Sequence, residues 1–205
     1  MIPVLIDCDP GIDDTLALLY LGALHRLGEI ELVGVTTTAG NTTATQAAGN
    51  ARWALDQLLV RVPVVAGEPG PREVELTTTP ETHGPTGLGY LEVPEALAGD
   101  WAQVWRQGVD KHEDLRIIVT GPMTDLAAFR RGHPEHYARL GHVTVMGGAV
   151  NYRGNTTPTS EWNFWVDPHA AADVFEHPPK ARIRLCSLEV TEQFIIDPTR
   201  LHELV

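Results

Sequence analysis

The sequence predicts an α/β protein built on an open, mostly parallel, Rossmann-like sheet with helices on both faces. Short apolar runs of strand length alternate with stretches of helical spacing from the first residues onward. Each run ends in a turn of glycine, proline, threonine or acidic residues that leads into the next helix. The length of 205 residues, 43% of them hydrophobic, suits one domain with its own core. No internal repeat, low-complexity stretch or linker interrupts the pattern, so one domain over residues 1–205 is expected.

The first strand is Ile2-Pro3-Val4-Leu5-Ile6, and helical spacing resumes at Thr15. Between them, Asp7-Cys8-Asp9-Pro10-Gly11-Ile12-Asp13-Asp14 packs four aspartates into eight residues, where a buried strand gives way to a helix. In an open parallel sheet that is the ligand-binding edge. Two like charges about 4 Å apart repel by roughly 4 kcal/mol at an effective dielectric near 20. The helix dipole relieves part of this at Asp13 and Asp14. A hard divalent cation relieves the rest, since every available ligand atom is oxygen. A solvated acidic turn would not need an apolar strand leading into it.

A second strand is expected over 31–38, then Ala39-Gly40-Asn41 and a helix from about 42 to 59. Asn41 either caps that helix or joins the acids at the sheet edge; its position decides neither. A third strand is expected over 62–67. Residues 68–93 are rich in proline, threonine and glycine without periodicity, which marks a functional or disordered loop. Its His83-Gly84-Pro85-Thr86-Gly87 stretch has glycines that let the chain bend, and the histidine alone reads as a surface residue. A helix is expected over 94–107, a strand over 115–121, helices over 126–131 and 134–140, and a fifth strand over 142–149 that ends in a glycine pair. Glycines there let a ligand come close to the backbone. Residues 150–166 are polar and aromatic; in an extended segment Glu161 and Asn163 share a face, with Trp162 on the other. Amides and a carboxylate beside aromatics suit a sugar or nucleoside. A helix over 168–175 and a strand over 182–188 complete the alternation.

Fifteen basic against 27 acidic residues give a net charge of −12, which argues against a nucleic acid partner. No run approaches the roughly 18 apolar residues of a membrane span. The first residues lack a basic stretch ahead of the apolar run, so no signal peptide is expected. Cys8 and Cys186 lie in apolar runs and read as buried free thiols, as in a reducing cytoplasm.

The aspartate cluster resembles the signature of the inosine-uridine nucleoside hydrolase family. The resemblance continues in order through Thr37-Thr38-Ala39-Gly40-Asn41, His83-Gly84, Thr120-Gly121-Pro122-Met123-Thr124-Asp125 and Met146-Gly147-Gly148. It then takes in Asn155, Glu161-Trp162-Asn163 and Asp167-Pro168. It implies hydrolysis of the N-glycosidic bond of a ribonucleoside with the help of calcium, in a homo-oligomer. It further implies that Asp9, Asp14 and the Thr120 carbonyl hold the calcium, and that Asp9 is the base that activates water. Asp13 and Asn163 would hold the ribose 2′- and 3′-hydroxyls, and Asn155 and Glu161 the 5′-hydroxyl. Asn41 would support the water site, Met146 and His83 would line the sugar and base pocket, and Asp7 would stand behind the metal ligands. This is coherent chemistry, since clustered carboxylates stabilise an oxocarbenium-like transition state.

The family's further His-Asp pair, a base contact and a calcium ligand, has no counterpart. After Phe194 the one histidine is His202, followed by Glu203. Impaired turnover of this chain by itself is therefore expected. Two other classes share parts of the pattern. A haloacid dehalogenase-type phosphatase also opens strand-Asp-x-Asp, although Pro10-Gly11-Ile12 departs from its usual Asp-Gly-Thr continuation. A non-catalytic remnant would bind calcium or ribose without turnover.

Overall fold

The computed structural model describes residues 1–96, 99–180 and 183–195. Strand β1 (Ile2–Cys8) is buried from Pro3 to its end. A strand with no exposed alternation belongs in the middle of a sheet. It pairs in parallel with β2 (Ile30–Thr37) on one side and β4 (Arg116–Val119) on the other. Helix α1 (Ile12–Leu27) links β1 to β2 and stops where Gly28 turns left-handed at φ 75°. After α2 (Ala44–Gln57) comes the short β3 (Val64–Ala66), then α3 (Pro80–His83) and α4 (Trp101–Lys111). Helices α5 (Thr124–Gly132) and α6 (Pro134–Ala138) follow β4 and lead to β5 (His142–Met146). The described chain closes with α7 (Trp162–Val166), α8 (Pro168–Glu176), β6 (Ile183–Cys186) and α9 (Leu188–Thr191).

The strand order is β3-β2-β1-β4-β5-β6, and every neighbouring pair is parallel. The predicted fold class therefore holds. The order runs outward in one direction from β1 and in the other from β4. The gap beyond their carboxyl ends is the switch point at which open α/β sheets bind ligands.

On one face, Leu5, Ile117, Val119, Val143 and Val145 pack against Trp105 of α4, Phe129 of α5 and Val174 of α8. On the other, Val4, Ile6, Leu32 and Val35 meet Leu18 and Leu21 of α1 and Leu55 of α2. At the amino ends of the strands, Ile2, Val4, Ile30, Arg116 and Ile118 border a groove of about 400 Å³ that no carboxylate of the described residues lines.

Several expectations change. The helix expected over 94–107 begins at Trp101, where Asp100 accepts the Gln103 N–H at 2.9 Å. Pro94 to Ala96 instead lies against α2: Ala96 N–H donates to the Thr45 carbonyl at 3.1 Å, and a Cβ on Gly49 would come within 2.1 Å of the Pro94 oxygen. Thr43, not Asn41, caps α2 by accepting the Gln46 N–H at 3.2 Å. Glu161 to Asn163 is not extended, because Glu161 caps the short helix α7. Cys186 is only half-buried, since β6 is the sheet's outer strand; both cysteines are free. His202 and Glu203 lie outside the described residues.

Trp105 is fully buried; its ring centroid is 5.1 Å from Phe129, and its Nε1–H donates to Thr36 Oγ1 at 2.9 Å. Trp105→Ala should remove about 3–5 kcal/mol. At about 2–4 °C per kcal/mol, the thermal midpoint should fall by roughly 6–20 °C, read by circular dichroism.

Candidate active site

The aspartate turn sits at the switch point. Helix α1 starts with Gly11 as its N-cap and carries Asp13 and Asp14 in its first turn, where the helix dipole favours anions. Gly11 lets the ring of His83 come close: a Cβ there would stand 2.5 Å from His83 Nδ1 and displace it. The Ile12 N–H donates to that nitrogen at 3.2 Å. Nδ1 is thus the acceptor in the bond that joins loop and turn. The loop histidine is therefore tied to the aspartate turn and only partly exposed.

Asp9 is gripped by the neighbouring strand ends. Its Oδ2 accepts the Asn41 main-chain N–H at 2.7 Å, and its carbonyl accepts Asn41 Nδ2–H at 3.2 Å. A Cβ on Gly40 would lie 2.3 Å from Asp9 Oδ2, and one on Gly121 would lie 2.8 Å from Oδ1. These two glycines let β2 and β4 close on the carboxylate. This decides the open question about Asn41 in favour of the acids.

Asp7 turns the other way, into the core. Its Oδ1 accepts the Thr36 hydroxyl at 2.7 Å, and its second oxygen approaches the carboxyl of Asp125. Asp125 Oδ1 accepts the Glu68 N–H at 2.8 Å. Neither Asp7 Oδ2 nor Asp125 Oδ2 meets a donor group, so a bond between the two carboxyls needs a proton on one of them.

Burial sets the electrostatics. It pushes Asp7 up to about 7 and Asp9 and Asp125 well above the usual carboxylate range. Asp14 rises to about 6 through burial first and the charge of Asp13 second. Glu161 is also raised by burial, against three backbone N–H bonds that favour its charged form.

The far wall of the cleft comes from the β5 end and α7. Glu161 Oε1 accepts the Asn163 N–H at 3.0 Å, while Oε2 accepts those of Gly148 at 2.9 Å and Phe164 at 3.2 Å. The glycine pair makes room for the Phe164 ring, which a Cβ on Gly147 would meet at 2.8 Å. Asn163 Nδ2 donates to the Thr120 carbonyl at 2.7 Å and to the Met146 carbonyl at 3.3 Å, which joins the ends of β4 and β5.

Together these residues enclose a cleft of about 530 Å³. Asp13, Asp14, Asn41, His83, Thr120, Met146, Asn155, Glu161 and Asn163 all line it; Asp9 and Asp7 lie buried beneath. Thr79, Glu81, Thr82, Thr156 and Trp162 line it as well. Of these, Trp162 was part of the sequence motif; the other four went unseen because short, irregular segments carry no periodicity to say which way a side chain points. Among the described residues, no lysine or arginine lines the cleft.

A hard cation fits these donors. Asp9 Oδ1, Thr38 Oγ1 and Thr120 Oγ1 are buried without a hydrogen-bond partner, and the nearby donor atoms are all oxygen. Among the described residues no three His, Cys, Asp or Glu side chains group as a metal centre. The fit therefore rests on two carboxylates, Asp9 and Asp14, and the Thr120 carbonyl.

Comparison with known proteins agrees with this geometry. The model of the family described as inosine-uridine preferring nucleoside hydrolase matches residues 4–205. The chain belongs to that family. Membership separates it from the phosphatases that share its strand-Asp-x-Asp opening. The pyrimidine-specific ribonucleoside hydrolase RihA of Shewanella oneidensis is 36% identical over 198 residues, which cover 93% of this chain and 60% of that protein. A purine-preferring ribonucleoside hydrolase from Gardnerella vaginalis superposes with a TM-score of 0.83 at 32% identity, covering 95% of this chain and 63% of that one. A plant nucleoside hydrolase gives a TM-score of 0.85 at 28% identity, covering 98% and 64%. The chain thus spans about 60% of the length of the curated relatives it matches.

An aspartate whose pKa is higher folded than unfolded binds its proton more tightly in the native state. Its ionisation therefore removes stability as the pH rises from the unfolded value of 3.8 toward, for Asp7, about 7. Asp125→Asn supplies a neutral donor to Asp7 at every pH. With divalent cations chelated, this variant should melt higher than the parent at pH 7–8, and its loss of stability between pH 4 and 7 should be smaller. Thermal melts across that range provide the measurement.

Proposed function

We propose that this chain carries the active site of a calcium-dependent N-ribohydrolase that converts a ribonucleoside to free base and ribose. The observation behind this reading is the buried Asp9 carboxylate, held by the Asn41 N–H beneath a cleft on which Asp13, Asn155, Glu161 and Asn163 converge. Asp9, Asp14 and the Thr120 carbonyl are the residues that would hold the cation. A divalent cation there would lower the pKa of a water molecule. Asp9 takes the proton from the attacking water. The water oxygen bonds to the anomeric carbon as the carbon–nitrogen bond breaks; the electron pair of that bond leaves with the base, which takes up a proton from solvent, and Asp9 returns its proton to solvent. The carboxylates of Asp13 and Asp14 stabilise the positive charge that develops on the sugar. Asp13 and Asn163 hold the 2′- and 3′-hydroxyls, Asn155 and Glu161 hold the 5′-hydroxyl, and Met146 and His83 border sugar and base. Asn41 keeps Asp9 in place, and Asp7 lies behind it. Convergent polar contacts fix the ribose for attack.

A second reading, binding of calcium or ribose without turnover, is favoured by the lack of a third acidic ligand among the described residues. The test is release of free base from inosine and uridine by the purified chain with calcium added. Turnover that Asp9→Asn abolishes supports the hydrolase; calcium binding with no turnover supports the second reading.

We further propose a cytoplasmic homo-oligomer. Two free thiols support the compartment. No described helix is long and apolar enough to cross a membrane. The support for self-association is an apolar stripe on α1, where Ile12, Leu16 and Tyr20 follow at four-residue spacing and are each more than half exposed.

Asp14→Ala should abolish calcium binding in calorimetric titration, because it removes one of two anionic ligands. Magnesium should bind the parent more weakly, since it demands tighter octahedral geometry. An unchanged calcium isotherm in the variant would remove Asp14 from the ligand set.

A 2′-deoxyribonucleoside leaves polar groups of the sugar site without partners. Its kcat/KM should be lower than that of the ribonucleoside by about a hundredfold or more. Equal rates would contradict the roles given to Asp13 and Asn163.

A further inference from the structure

The loop that carries His83 is tied to the aspartate turn by a side chain from neither. Asn50, on α2, is fully buried. Its Nδ2 donates to the Pro10 carbonyl at 3.0 Å and to the Thr86 carbonyl at 2.7 Å. Pro10 lies between Asp9 and Gly11, and Thr86 lies three residues beyond His83. Both hydrogens of one amide are thus spent on two segments forty and thirty-six residues away in sequence.

The amide is held in that orientation. Asn50 Oδ1 accepts from Gln46 Nε2 at 3.0 Å, and Gln46 Nε2 also donates to the Val93 carbonyl at 2.9 Å. Two amides one helical turn apart therefore clamp both the tip and the end of the loop. The loop passes so close that a Cβ on Gly87 would stand 3.0 Å from both Asn50 Nδ2 and the Pro10 oxygen; Gly87 has φ +88°. A second tie, from the Ile12 N–H to His83 Nδ1 at 3.2 Å, reaches the same turn from the other side. The histidine can keep that contact only while loop and turn stay in register.

We propose that Asn50 is a positioning residue that registers the loop over residues 79–93, and with it His83, against the aspartate turn. The two halves of the cleft then meet one substrate in a fixed geometry. An aliphatic side chain would leave two buried carbonyls without donors, and an aspartate would face them with like partial charge. This inference rests on the proposed hydrolase for its kinetic consequence but not for its structural one.

The experiment measures hydrogen exchange and kinetics on the full chain and on Asn50→Ala. Amides over 79–93 and the Ile12 amide should exchange about tenfold faster or more, while β1, β4 and β5 keep their protection. With inosine, KM should rise and kcat should fall, together lowering kcat/KM about tenfold or more. A merely structural loss would lower the active fraction, and so kcat, and leave KM alone. Unchanged loop exchange, or equal acceleration across the sheet, would overturn the proposal. Gln46→Leu, which keeps both donors of Asn50 but frees its amide to rotate, provides the same readout in a milder form should Asn50→Ala fail to fold. If the parent chain hydrolyses no nucleoside, the hydrolase reading fails while the exchange comparison still decides the role of Asn50.

Discussion

Asp9 has no exposed surface; one of its oxygens holds the Asn41 N–H and the other meets no donor. An ionised carboxylate in that position is costly unless protonated, hydrogen-bonded or joined to a cation. Much of the surrounding architecture follows from that cost. Gly40 and Gly121 lack side chains because strand ends must close on the carboxylate. The helix that follows presents its amino end, which favours the neighbouring Asp13 and Asp14. The cleft above is lined mainly by amides, hydroxyls and further carboxylates, with no lysine or arginine among the described residues to neutralise them.

The same strand feeds two chemically different places. Asp9 lies beneath the cleft, whereas Asp7 enters a buried chain that runs from Trp105 Nε1 through the Thr36 hydroxyl to Asp7 and on toward Asp125. The apolar core under α4 is in this way hydrogen-bonded to the segment that holds the acids. Packing around Trp105 and the placement of the aspartate turn are parts of one connected structure. In such networks each member matters more than a single bond implies.

Much of the cleft comes from segments without regular structure, and its order depends on side-chain ties. Glu161 binds three backbone N–H groups and so holds the Gly148 turn against α7. Asn163 bridges the carbonyls at the ends of β4 and β5. Asn50 and Gln46 do the same for the loop over 79–93. Residues that resemble ligand-binding groups thus also serve as fasteners, which is how irregular backbone at a sheet edge is kept rigid enough for chemistry.

The sequence by itself determined the alternation of strands and helices, the sheet edge that carries the acids, and the family. Those features are local: strand burial, helix periodicity, turn residues and a contiguous aspartate motif leave their marks within a few neighbouring positions. Tertiary structure decided whatever depends on contacts between distant segments. Asn41 was undetermined between cap and site until Thr43 took the cap and Asp9 came within 2.7 Å. His83 was an ordinary loop histidine until the Ile12 N–H reached its ring. Helix α4 starts later than its residue preferences indicate because Pro94 to Ala96 is drawn flat against α2 at Gly49. The buried pairing of Asp7 with Asp125 joins residues 118 positions apart, and only the folded sheet brings them together.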